Sequence, residues 1–189
     1  MATLTPGKMR GIDQLATDEG VIAVLAIDHR DSLKAVLDAD VTDAEITQFK
    51  LDLIAGVGPQ ASGVMLEPEF TLPHAIEAGV VKGSQGFMAA LEAQGYMQDP
   101  WAGPTQMMPG WTAADAKKMG ASVAKLLLPY APERLEHAEA QRAVVAEVAA
   151  VCADLDLALL VEPVAFGMED AARPQTCLLY TSPSPRDRG

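Results

Sequence analysis

The sequence predicts an α/β protein built on a parallel sheet covered by helices, and three observations predict it. Five apolar runs of strand length recur along the chain: VIAVLAID (21–28), SGVMLE (62–67), GFMAALE (86–92), SVAKLLL (122–128) and LALLVE (157–162). Each run is apolar at successive positions and not at alternate ones, which is the mark of a strand buried on both faces. The stretches between them carry helix signals, so strand and helix alternate.

Taken in order, the first run ends at Asp28 and leads to a helix start at Thr42, where Thr42 and Glu45 form a capping box ahead of ITQFKLDLIAG. Thr112 and Asp115 repeat that signal before AKKMGA. Pro132 opens a long stretch, ERLEHAEAQRAVVAEVAAVCADL, in which Val144, Val145, Val148 and Val151 recur at helical spacing. Strand ends follow one another at about 25 to 40 residues, the interval of a barrel or a doubly wound sheet. No GxGxxG follows the first strand and no GxxxxGK[ST] occurs anywhere, which argues against dinucleotide and P-loop nucleotide binding.

The composition belongs to an ordinary globular protein: 189 residues, 49% hydrophobic and 21% charged. A net charge of -12 argues against nucleic acid or an anionic membrane as partner, since both would repel the chain. No apolar run is long enough to span a bilayer, and the N-terminal segment lacks the apolar centre of a signal peptide. Cys152 and Cys177 form neither a metal spacing nor a disulfide framework, so a cytoplasmic location is expected. The last residues, CLLYTSPSPRDRG, break the pattern with a sudden Ser/Pro/Arg composition. CLLYTSPSPRD resembles the in-frame translation of a transposon-based library adapter. We therefore take 1–176 as the native part and 177–189 as a non-native tail, and give Cys177, Arg186 and Arg188 no functional weight.

In parallel barrels, reacting groups gather at the C-terminal ends of the strands. Four of the five runs end on an acid: Asp28, Glu67, Glu92 and Glu162. One acid after a strand suits a helix start and needs no chemistry to explain it. Four converging on one rim would push their pKa values apart, which suits acid–base work. Alternation places Val24, Ala26 and Asp28 on one face of the first strand. Lys125 interrupts the apolar run of the fourth strand, where an ammonium is buried in either orientation. Such a lysine is paired, or neutral and nucleophilic, or snorkels from an edge. His29, His74 and His137 do not form a metal set: His29 points away from Asp28, His74 follows Pro73 in a loop or first turn, and His137 lies on a helix.

The blocks GVIAVLAIDHRDSL, SGVMLEPEF, FMAALEAQGY, PGWTAADAKKMGASVAKLLLPYAPE and LALLVEPVAF resemble, in order, those of the tagatose-1,6-bisphosphate aldolases and the related sulfofructosephosphate aldolases. The resemblance covers roughly residues 10–168 and implies an incomplete TIM (β/α)8 barrel holding about the first five β/α units. It implies a class I aldolase that cleaves a ketose phosphate through a lysine Schiff base, giving dihydroxyacetone phosphate and an aldehyde such as glyceraldehyde 3-phosphate. No cofactor and no metal are expected; the partner is a phosphorylated or sulfonated sugar, and a homo-oligomer is compatible with the family. Carried over by position, Asp28, Lys125 and Glu162 become the catalytic set. Arg30, in a D-H-R where the family has D-Q-R, joins the rim acids Glu67 and Glu92 as substrate-binding candidates. Glu67 departs mildly from the aspartate of many members.

The resemblance also places the Schiff-base lysine on a sixth strand and phosphate loops after the seventh and eighth. The chain is expected to end before them, and so to be inactive and insoluble or molten alone, because a barrel closes only with all its strands. Deoxyribose-phosphate or keto-deoxy-sugar phosphate aldolase chemistry, or a metabolite sensor without catalysis, are the alternatives.

Overall fold

A computed structural model describes residues 4–38, 40–94, 99 and 101–164; the tail 177–189 lies outside them. Five parallel strands form one sheet in sequence order: β1 Val24–Ala26, β2 Gly63–Leu66, β3 Gly86–Ala90, β4 Val123–Pro129 and β5 Ala158–Val164. All five expected runs are strands, each trimmed or shifted by a few residues. The helices are α1 Pro6–Asp13, α2 Asp31–Lys34, α3 Asp43–Val57, α4 Leu72–Glu77, α5 Ala113–Lys118 and α6 Leu135–Asp154.

Both capping boxes form. The amide of Glu45 donates to Thr42 Oγ1 at 3.3 Å while the Thr42 amide donates to Glu45 Oε2 at 2.9 Å. The amide of Asp115 donates to Thr112 Oγ1 at 3.2 Å and the Thr112 amide to Asp115 Oδ2 at 3.1 Å. The long helix starts at Leu135, after Pro132, and buries Ala138, Gln141, Val148 and Cys152, leaving Val151 exposed.

The outer layer of core runs between sheet and helices through Val64, Leu66, Phe87, Ala89, Ala124 and Leu126. Alternation turns Met65, Met88 and Val123 the other way, into a smaller cluster with Leu15. The sheet is a curled half-barrel. On a flat sheet β1 and β4 would stand about 14 Å apart, three strand spacings. Yet Lys125 of β4 reaches Asp28, two residues past β1, at 2.6 Å.

A helix that the sequence reading did not anticipate closes the other end. α1 begins with Pro at its first turn and runs beneath the strand starts. Gln14, one residue past it, accepts from the Gly86 amide at 2.9 Å, and the Gly7 amide donates to Asp156 Oδ2 at 3.0 Å. Leu15 then enters the inner apolar cluster. The inner face is thus apolar at the strand starts and ionic at the strand ends.

Candidate active site

Lys125 is the hub of the ionic layer. It is 1% exposed, and its Nζ lies 2.6 Å from Asp28 Oδ2, 3.1 Å from Glu92 Oε1 and 3.1 Å from Glu162 Oε2. The register explains the meeting. Lys125 pairs with Ala90 on one side and Leu160 on the other, and Glu92 and Glu162 each stand two residues beyond, on the same inward face. Curvature brings Asp28 in from β1. Burial works against the ammonium, but Glu92, Asp28 and Glu162 outweigh it and hold the amine well above the usual lysine range. Lys125 is thus ion-paired to three carboxylates, one of the states that its place in the apolar run allows.

Glu92 is packed on every side. Its Oε2 accepts from the Leu127 amide at 3.1 Å, and its own carbonyl accepts from Arg30 Nη2 at 2.8 Å. Burial pushes its carboxyl above the usual range, and Lys125 and the Leu127 amide pull against that. Arg30 is 1% exposed, 3.6 Å from Glu92 Oε1, and its Nε and Nη1 have no partner among the described residues.

The structure does not bring Glu67 into this cluster. Its Oε1 accepts from Lys50 Nζ at 2.7 Å, and its Oε2 accepts from the Glu69 and Phe70 amides at 2.7 and 2.9 Å. Thr71 Oγ1 closes the loop by donating to the Glu67 carbonyl at 2.7 Å. Lys50 is the residue that sequence reasoning missed. It is 1% exposed, and burial lowers its pKa despite the Glu67 carboxylate. The signal was present: Ile46, Lys50 and Ile54 fall four apart on α3 and all are buried, so the lysine sits in the apolar stripe.

The histidines stay apart. His29 is exposed, His74 lies in α4, and His137 of α6 contacts the Gly103 carbonyl at 3.1 Å and meets Trp101 edge-on. Among the described residues no group of three or more His, Cys, Asp or Glu could hold a metal, and no helix is long and apolar enough to cross a membrane.

Comparison with known proteins matches the chain to a family. Residues 22–178 match the family described as DeoC/LacD family aldolase. The chain is 34% identical over 175 residues to tagatose 1,6-diphosphate aldolase 2 of Enterococcus faecalis, covering 90% of this chain and 52% of that protein. It is 32% identical over 170 residues to tagatose 1,6-diphosphate aldolase of Listeria monocytogenes, covering 88% and 49%. An archaeal fructose 1,6-bisphosphate aldolase superposes with a TM-score of 0.51 at 18% identity, over 89% of this chain and 62% of that one, a likeness of fold. The chain spans about half the length of the curated relatives it matches. With its five-stranded half-barrel and the family match over most of its length, the chain belongs to the DeoC/LacD aldolase family.

Proposed function

We propose that residues 1–176 are the first part of a class I aldolase barrel that cleaves a ketose bisphosphate of the tagatose type. The products are dihydroxyacetone phosphate and glyceraldehyde 3-phosphate. One observation carries this reading: a buried ammonium held by three carboxylates at the C-terminal ends of parallel strands, where barrel enzymes do their chemistry.

The chemistry divides as follows. An amine attacks the ketose carbonyl and water leaves, giving an iminium. A carboxylate takes the proton of the C4 hydroxyl, the C3–C4 bond breaks, and its electron pair moves into the iminium to form an enamine. The iminium is the electron sink, the role a metal plays in other aldolases. Glu162, 46% exposed at its side chain, is the carboxylate open to substrate, with Asp28 as its partner in proton handling. Lys125, ion-paired to three carboxylates that favour its charged form, is assigned the role of a positive charge for developing oxyanions. Lys50 is spent on Glu67. The resemblance to the tagatose-1,6-bisphosphate aldolases assigns the nucleophile to a lysine on a strand beyond β5. Arg30, two of whose nitrogens lack partners among the described residues, is assigned the anionic end of the sugar.

The test is borohydride trapping and turnover with tagatose 1,6-bisphosphate in the complete coding frame. Borohydride should abolish activity only when the ketose phosphate is present, with the adduct on a lysine other than Lys125. Glu162→Gln should lower kcat by about 10²- to 10⁴-fold, the range of a lost proton-transfer group. An adduct on Lys125, or full turnover after borohydride, would overturn the assignment.

A further inference from the structure

Five charged groups meet in the ionic layer: Asp28 and Arg30 after β1, Glu92 after β3, Lys125 on β4 and Glu162 on β5. The three acids are not equivalent. The side chain of Glu162 is 46% exposed and that of Asp28 10%, whereas that of Glu92 is 1%. Both carboxyl oxygens of Glu92 already accept from protein donors, Oε1 from Lys125 and Oε2 from the Leu127 amide. Its carbonyl is taken by Arg30. Among the described residues Arg30 is as buried as Glu92 but keeps unpartnered N–H groups, whereas each carboxyl oxygen of Glu92 already accepts a protein hydrogen bond and almost none of its side chain is exposed.

We propose that Glu92 is the positioning residue of the site: through one oxygen it pins the Lys125 ammonium, through its carbonyl it anchors Arg30, and it never touches the sugar. One residue thereby fixes both cations of the layer against each other. Its anchorage reaches further. The Ala93 amide donates to the Gln106 carbonyl at 2.8 Å, and Glu92 bridges to Met107 in antiparallel fashion, so the loop before α5 clamps the backbone that carries it. That loop is tied down in turn by the buried Gln141, whose Oε1 accepts from the Thr105 amide at 3.0 Å and whose Nε2 donates to the Pro129 carbonyl at 2.9 Å. A chain of hydrogen bonds thus runs from α6 through the loop to Glu92 and on to Lys125.

The role rests on the aldolase reading only for its meaning in turnover, and its test needs no turnover. The protein expressed from the complete coding frame and its Glu92→Gln and Glu92→Asp variants are treated with an amine-selective acylating reagent, and labelling of each lysine is read by peptide mass spectrometry. Lys125 should resist labelling in the unmutated chain. Glu92→Gln should raise its labelling about tenfold, the effect of losing one close opposite charge. Glu92→Asp should restore part of the protection. Lys50, on its own carboxylate, should not change, and that separates loss of positioning from loss of fold. Unchanged Lys125 labelling with Lys50 still protected would overturn the proposal. If Lys50 opens together with Lys125, the decision passes to Glu92→Asp, which keeps the charge: Lys125 labelling below that of Glu92→Gln supports the proposal, and equal labelling in the two variants overturns it. None of these outcomes bears on whether the complete enzyme forms a Schiff base, so the two proposals fail separately.

Discussion

At the scale of single residues, the Lys50–Glu67 pair makes an uneven prediction. Removing one member of a buried ion pair costs about 3–5 kcal/mol, because the survivor is left charged in a poor solvent. Here the survivors differ. Glu67 without Lys50 keeps two amide donors and Thr71 Oγ1, whereas Lys50 without Glu67 keeps no hydrogen-bond acceptor among the described residues, only the face of Phe70, 5.1 Å away, and the more distant charge of Asp28. Glu67→Ala should therefore destabilise more than Lys50→Met, read as the shift in urea midpoint by circular dichroism. Equal shifts would refute the unevenness. The two buried lysines also respond oppositely to alkali. Burial lowers Lys50, so just below pH 10.5 the unfolded chain binds more protons and stability from this group rises with pH. Lys125 is raised, so its contribution is complete below pH 10.5 and is lost as pH climbs past that value. Lys125→Met should flatten the alkaline loss of stability and Lys50→Met should not.

At the scale of elements, α1 shows what the sequence concealed. Of its eight residues only Gly11 is buried, and its anchorage is made by backbone groups and by contacts across more than a hundred residues. Only Pro6 marks its start. By contrast α3 and α5 were legible, because a capping box is a local device written in four residues. α1 lies so close to β4 that a Cβ on Gly11 would stand 2.2 Å from the Ser122 carbonyl oxygen, which belongs to the backbone and cannot turn aside. In an open helix Gly→Ala gains about 1 kcal/mol. Gly11→Ala should instead lose about 1–3 kcal/mol, the cost of overpacking, and lift α1 from the strand starts. Hydrogen exchange at the Gly86 amide, bonded to Gln14, reports the lift. Thr112→Ala, which removes one cap and no packing, should cost about 1 kcal/mol and leave that amide protected.

At the scale of the molecule, strand number, order and direction were legible because parallel strands covered on both faces are written as continuous apolar runs. The meeting of Asp28 with Lys125 was not, since it depends on how far the sheet curls, and no local pattern records that. Nor could spacing divide the rim acids: Glu67 turns to Lys50 while Glu92 and Glu162 turn inward, a choice set by which cation lies within reach. Curvature has a further consequence at the margins of the sheet. Every residue of β2 and β3 is buried, but all residues of β1 and β5 are at least partly exposed, including Leu160 at 36%. Apolar side chains beside an edge strand form a template for another chain. These 189 residues expressed alone should therefore self-associate, with a mass by light scattering that climbs with concentration. Leu160→Ser, which shortens the apolar margin without touching Lys125 or its carboxylates, should shift that climb to higher concentration. Because β5 is the longer of the two strands that pair on one side only among the described residues, a matching change at Val24 of the three-residue β1 should shift it less. A constant monomer mass across the range would show instead that the five strands shield their own margins.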